Sequence, residues 1–304
     1  MRGWRYESYR HSLAAKGIKT SQPKLAKVLR SENVIFEPKM DGTRILLTKQ
    51  DSKLTFVNRR GVIKNDTYPE LNDIKKSIKG DVVLDGEVVV LDKEHPYGNF
   101  EKLAMRDRLK DKEEIEKRSK TLPLTYVVFD ILEKDRQKVA DLPLSERKKI
   151  LDNVIAQGKS IREIEFSNKS KELLAKVKQV KGEGIVQKDI NSKYAPGNTR
   201  SWEKYKLLKT NDVVILGATE GTGKRKGLFG ALKIAVNTPK GFKEMGKVGT
   251  GFSDTDLKEI KAKLDKGEKL VARIKYRKIG SDGRYIEPVY ISTREDISQN
   301  QTHE

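Results

Sequence analysis

Lys39 stands in the run EPKMDGTR (37–44), two residues ahead of Asp41 and three ahead of Gly42, with Arg44 opening the next apolar stretch. A lysine amine is a covalent nucleophile once it is deprotonated, which takes desolvation or neighbouring cations. Gly42 lets the backbone turn and come close to a ligand. The plain alternative is a surface lysine beside an Asx-type turn, because Asp-Gly turns are common. Glu87 lies inside LDGEVVV (84–90), and Glu183 opens EGIVQK (183–188). A carboxylate on an apolar strand is costly unless it is paired, hydrogen-bonded or metal-bound. Two such groups could hold Mg²⁺ or accept hydrogen bonds from a ribose, or they could face solvent at strand ends. In RSWEKYKLLK (200–209) strand alternation puts Trp202, Lys204 and Lys206 on one face. Two neighbouring ammonium groups make a phosphate site, or else the charged side of an edge strand. The loop GATEGTGKRKG (217–227) looks like a phosphate loop but has Ala218 and Arg225 where that motif needs Gly and Ser or Thr. It reads better as a basic loop, with Lys224, Arg225 and Lys226 touching a nucleic-acid backbone.

These residues must be positioned by strands and short helices. Val34 to Glu37, Arg44 to Lys49 and Lys53 to Asn58 read as strands, and Thr67 to Ile78 as a short helix ending before Gly80. DVVLDGEVVVLD (81–92) reads as a buried strand or tight hairpin, and LTYVVFDIL (124–132) as a second apolar strand. Residues 101–120 are helix-prone. A helix capped by Ser145 carries Ile150, Leu151, Val154 and Ile155 on one face and stops at Gly158, and Lys171 to Val180 repeats that pattern. The first ~30 residues are basic and irregular, with helical potential around Leu25 to Leu29. After Lys209 come five strand-like runs, DVVILGA, ALKIAV, EMGKVGTG, KLVARIKYRK and RYIEPVYI. One helix, Asp254 to Leu264, separates the third and fourth, with Ser253 or Asp254 as cap and Gly267 as stop. Five strands and a helix in so short a span predict a small barrel of the OB-fold kind. The expected class is α+β, with domains at 1–208 and 209–304.

Composition narrows the chemistry. The 304 residues carry 64 Lys and Arg against 44 Asp and Glu, a net charge of +20, and both expected domains are basic. Polyanion binding is the leading reading, since basic proteins gain affinity by releasing counterions from phosphates. A Lys- and Glu-rich surface of the thermophile type is the alternative. With no cysteine, disulfides, Cys-zinc sites, Fe–S clusters and thiol nucleophiles are excluded, and three histidines leave little for a His-based metal site. No stretch reaches the ~18 apolar residues of a membrane span. The opening residues lack the apolar run of a signal peptide. A monomer in the cytoplasm or nucleoid is therefore expected.

The ordered set KMDGTR, NRRG, LDGE, YVVFDIL, EGIVQK and WEKYK, closed by REDI (294–297), resembles the ATP-dependent DNA ligases within the covalent nucleotidyltransferases. The set spans residue 37 to about 297. The resemblance implies a nucleotidyltransferase (adenylation) domain followed by an OB-fold domain, without a large N-terminal helical DNA-binding domain. It implies Lys39 as the adenylated nucleophile and Glu37 as the group that recognises adenine. Arg44 and Arg59 would contact ribose or phosphates, Glu87 ribose or metal, and Phe129 would stack on the base. Glu183 would assist the metal, while Arg200, Lys204 and Lys206 hold phosphates and Arg294 and Asp296 orient pyrophosphate. ATP with Mg²⁺ or Mn²⁺ and nicked duplex DNA are the implied cofactors and partner, the DNA meeting Arg44 and the loop cations. Two positions depart from the pattern: Asn58 stands where the family usually has Ser, and Ile297 where Lys is common. The rival readings are an RNA ligase of the same chemistry, a capping guanylyltransferase, and a non-catalytic OB-fold nucleic-acid-binding protein.

Overall fold

The structure, a computed structural model, describes residues 33–195 and 201–303. The expected helix near Leu25 to Leu29 and the expected phosphate ligand Arg200 lie outside the described residues. The chain divides into two compact units, Met1–Lys206 and Leu207–Glu304. Among the described residues, no helix is long and apolar enough to cross a membrane.

In the first unit, β1 (Val34–Pro38), β2 (Thr43–Gln50), β3 (Lys53–Asn58), β4 (Val82–Val90) and β5 (Leu124–Lys134) are followed by the short β6 (Gln137–Lys138) and β7 (Ile161–Glu163). Then come β8 (Gly184–Asp189) and β9 (Trp202–Lys206). One sheet runs β3-β2-β4-β5-β6, with β7 parallel to β5; a second runs β1-β8-β9. β5 is buried along nearly its whole length, which explains its continuous apolar run in place of alternation. β4 is a single strand, not a hairpin. A Cβ at Gly86 would sit 2.7 Å from the Tyr126 ring, so glycine makes room there for the ring. Glu87 is the one position of β4 that is not fully buried.

Among the described residues of this unit the α-helices are α1 (Phe100–Asp107), α2 (Lys112–Thr121), α3 (Leu144–Val154) and α4 (Ser170–Gln179). Asn99 and Asp111 cap the first two by accepting from the backbone N–H groups of Lys102 and Glu114. The expected helix at 67–78 is a 3₁₀ helix, Pro69–Ser77. Tyr68, Leu71 and Ile74 are buried at a spacing of three, and that is the 3₁₀ repeat. α3 begins behind Pro143 with Ser145 inside its first turn, so Ser145 is not the cap. It ends before Gly158 because Ile155 turns extended to bridge Ile78.

The second unit is a five-stranded sheet, β12-β11-β10-β13-β16, wrapped around one core. Its strands are β10 (Lys209–Glu220), β11 (Phe229–Thr238), β12 (Gly241–Val248), β13 (Leu270–Tyr276) and β16 (Val289–Thr293). Between the last two lies the small hairpin β14 (Lys278–Ile279) and β15 (Tyr285–Ile286). The segment after β12 meets β16 where Tyr290 N–H donates to Thr250 O at 2.9 Å, which draws the ends of the sheet together. α5 (Asp254–Asp265) sits between β12 and β13, started by a capping box of Ser253 and Asp256. The run RYIEPVYI is two strands, not one. Glu287 takes φ 53° and Pro288 has no N–H to donate, so the chain leaves β15 before pairing again with β13.

Gly184 carries a strict steric demand. It has φ 148°, and an added Cβ would lie 1.9 Å from the Tyr205 carbonyl oxygen on β9. Gly184→Ala is expected to cost about 1–3 kcal/mol and lower the melting temperature by roughly 5 °C. Circular dichroism melts check this; an unchanged melt would show that β8 and β9 can separate locally without cost.

Candidate active site

A pocket opens between the two sheets of the first unit. Register explains its walls. In the small sheet Glu37 pairs with Val186, and Val186 pairs with Lys204; one step along, Lys188 pairs with Trp202. All five line the pocket. In the large sheet Arg44 pairs with Glu87, and Phe129 projects from β5 into the same space. Lys39 follows directly on β1, its backbone N–H held by Gly184 O at 2.8 Å. The turn after it packs flat on β4: a Cβ at Gly42 would lie 2.3 Å from Val88 O and 2.8 Å from the Glu87 side chain. Glycine therefore lets the lysine loop lie against the strand that carries Glu87.

The charges form a compact set. Lys39 Nζ donates to Glu183 Oε2 at 2.6 Å, and Lys206 Nζ lies 3.4 Å from Glu183 Oε1. Burial drives the Glu87 carboxyl up to about 7, although Lys39, Arg44 and Lys204 pull the other way. Burial, with Lys39 and Arg44 nearby, depresses the Lys204 amine to about 8. Arg44 is anchored from behind: Nε and Nη2 donate to Asp85 at 3.0 and 2.6 Å, and Nη2 also donates to Tyr194 OH at 3.0 Å. Glu37 is buried at the inner end between two ammonium groups, Lys148 Nζ at 2.9 Å and Lys188 Nζ at 2.6 Å. Lys188 Nζ also lies over the Trp202 and Phe129 rings, at 3.8 and 4.6 Å from their centres.

The structure thus gathers Glu37, Lys39, Arg44, Glu87, Phe129, Glu183, Lys204 and Lys206 at one place. Arg59 does not line the pocket; it is exposed in the turn after β3. Asn58 shapes that turn, accepting at Oδ1 from the N–H groups of Arg60 and Val62 at 2.9 and 3.0 Å, so the Ser-to-Asn departure keeps a side-chain acceptor. On the barrel, Arg294 donates to Asp296 at 2.8 and 2.6 Å and to Asp212 at 3.2 and 3.0 Å, and Arg273 also grips Asp212. Ile297 is half-buried beside them. Lys224 and Lys226 are exposed, whereas Arg225 turns inward and donates to Gly230 O and Gly249 O at 2.8 and 3.0 Å. Sequence reasoning missed Lys188 and the part of the pocket wall formed by Met40, Ile164 and Val186. Strand alternation could have found Lys188, since it shares the face of Val186.

A lysine-bearing pocket between two sheets, followed along the chain by a small barrel, defines a nucleotidyltransferase-plus-OB-fold architecture. Residues 13–206 match the ATP dependent DNA ligase domain, and 225–291 match the ATP dependent DNA ligase C terminal region. The chain belongs to the ATP-dependent DNA ligase family. It is 30% identical over 292 residues to a DNA ligase of Thermococcus onnurineus, covering 86% of this chain and 52% of that one. It is 32% identical over 239 residues to DNA ligase 2 of Methanosarcina acetivorans, covering 74% and 42%. The chain therefore spans about half the length of these curated relatives. Among solved structures, a Lig E DNA ligase superposes with a TM-score of 0.67 over 92% of this chain and 100% of that one, at 18% identity, a likeness of fold.

Proposed function

We propose that the protein is an ATP-dependent DNA ligase that seals 5′-phosphate/3′-hydroxyl nicks in duplex DNA. The observation that carries this reading is the Lys39 amine at the pocket, set among Glu183, Arg44, Lys204 and Lys206. Phosphoryl transfer asks for positioned groups and cations more than for elaborate proton chemistry. Residues 1–208 act as the adenylation domain and 209–304 as the OB-fold domain.

Phe129 and the pocket's apolar wall take the adenine of ATP, with Glu37 at its edge. Arg44, Lys204 and Lys206, with Arg200, hold the phosphates, and Arg59 serves from the neighbouring turn. The Lys39 amine donates to Glu183 and must give up a proton before its lone pair can attack. Once its proton passes to the carboxylate or to water, Nζ attacks the α-phosphorus. The bond to the β-phosphate oxygen breaks, pyrophosphate leaves, and lysyl-AMP remains. AMP then passes to the 5′-phosphate of the nick, and the 3′-hydroxyl displaces it to close the strand.

Among the described residues no cluster of three or more His, Cys, Asp and Glu forms a closed metal site. Two carboxylates beside a phosphate-binding pocket nevertheless suit Mg²⁺ or Mn²⁺, which takes one or two carboxylates with substrate phosphates and water. Glu87 and Glu183 are the residues that would hold it, and bound there it would offset phosphate charge. On the barrel, Arg294 and Asp296 orient the departing pyrophosphate. Lys224 and Lys226 meet the DNA backbone, while Arg225 braces their loop from within.

The test uses ATP labelled on the α-phosphate, Mg²⁺ and a nicked duplex. Label bound to protein and a sealed strand are expected, with no sealing when ATP is withheld. Protein that takes up no label, or that seals RNA ends in preference to the DNA nick, would refute the reading.

A further inference from the structure

Glu37 is 1% exposed, yet it forms part of the pocket wall. A buried carboxylate of this kind would ordinarily take up a proton. Two lysines prevent that, and they come from different elements. Lys188 reaches Oε2 from the neighbouring strand β8 at 2.6 Å. Lys148 reaches Oε1 from α3 at 2.9 Å, and its side chain is only 7% exposed. A lysine on a helix face normally extends into water. This one points inward, crosses over the Phe166 ring at 5.1 Å and ends between Glu37 and Glu163, the latter 3.4 Å away. Neither Glu37 Oε1 nor Lys148 Nζ has an aligned hydrogen bond to the other. The ammonium therefore supplies charge while leaving acceptor capacity on the carboxylate, which has about four lone-pair sites.

We propose that Lys148 is the positioning residue that sets nucleobase specificity: it keeps Glu37 an acceptor-only carboxylate, so the pocket takes a purine with an amino group at C6 and turns away one with an oxo group. This rests on the reading of Glu37 as the adenine-recognising group. An ionised carboxylate accepts from the 6-amino group of adenine, but it meets the 6-oxo group of hypoxanthine or guanine lone pair to lone pair. A protonated carboxyl would donate to that oxo group and lose the distinction. The groups around the cradle fit this division of labour. Glu37 lies below the usual carboxylate range despite its burial, because of Lys148 and Lys188. Glu163, which shares Lys148, is driven up by burial. Asp130 also faces both lysines, but it is itself paired with Arg147 at 2.7 Å. Lys148 thus spends its charge on Glu37. Burial pulls the Lys188 amine itself down.

The experiment compares self-adenylation by ATP with self-inosinylation by ITP, in the full-length protein across pH 6 to 9. ITP differs from ATP at C6 and in the N1 proton that accompanies the oxo group. Wild type should favour ATP on the order of 10³-fold, with little change across this range. Lys148→Met should narrow that preference to about tenfold at pH 6 and recover it toward pH 9, as the carboxyl of Glu37 ionises again. Lys148→Arg should behave as wild type. Lys148→Gln, which keeps a donor but not the charge, should follow Lys148→Met and serves if the methionine variant does not fold. A Gln or Met variant that holds the wild-type preference at every pH overturns the role of Lys148. A wild type that labels equally well with ITP instead overturns the placement of Glu37 at the base.

Discussion

Lys39→Ala should take up no label from α-labelled ATP, a fall of roughly 10³-fold or more, because no second amine can replace the one that forms the bond. Lys204 is the nearest rival on chemical grounds, since its amine is already depressed to about 8. It owes part of that depression to Lys39, so removing Lys39 lets it rise and leaves it a poorer nucleophile. The remaining charges should stay in place: Glu183 keeps Lys206 at 3.4 Å, and Arg44 keeps Asp85. The variant should therefore fold and bind duplex as wild type does. A second measurement separates loss of the nucleophile from general damage. Offered a nick already bearing 5′-AMP, Lys39→Ala should still seal it at a measurable rate, because that last step asks nothing of a lysine lone pair. Covalent label on the alanine variant would place the nucleophile elsewhere and undo the proposed mechanism.

How much of this could be read from the residues follows from where each side chain's surroundings come from. Lys204, Lys206 and Trp202 could be placed on one face because strand alternation is local, and they do fall on the side that meets the pocket and Glu183. The β5 run was legible as a buried strand because both of its faces are covered and every position is apolar or paired. The short helix expected at 67–78 is present, but Tyr68, Leu71 and Ile74 are buried at a spacing of three, and it winds as a 3₁₀ helix. Lys148 and Arg147 were illegible for a deeper reason. On a helix, adjacent lysine and arginine read as the wet face, and only the partners Glu37 and Asp130, more than a hundred and just under twenty residues back along the chain, turn them inward. Arg225 shows the reverse case: a basic loop looked uniformly outward-facing, yet two backbone carbonyls and the Phe252 ring hold its guanidinium inside.

Asp130→Ala should destabilise the first unit more than Gly184→Ala does. Arg147 and Asp130 are both wholly buried and joined at 2.7 and 2.9 Å, and Arg147 Nη1 also donates to Leu142 O and Ser192 O at 2.6 and 2.9 Å. Removing the carboxylate leaves a buried guanidinium with carbonyl partners only, at a cost of about 3–5 kcal/mol. For a unit of this size that is a drop of roughly 10 °C in the melt. The loss should also reach the pocket. Arg147 precedes Lys148 on α3 and lies 6.0 Å from the centre of the Tyr194 ring, whose hydroxyl holds the Asp85 that fixes Arg44. Adenylation measured well below the lowered melt should thus be weaker than in wild type, although neither residue touches the nucleotide. The double variant Asp130→Leu with Arg147→Met separates the two effects. It removes both charges together, so stability should largely return, since a buried ion pair adds little over an apolar pair of similar volume. If Asp130→Ala melts with wild type, the pair is not what ties α3 to β5, and the inward course of Lys148 needs another cause.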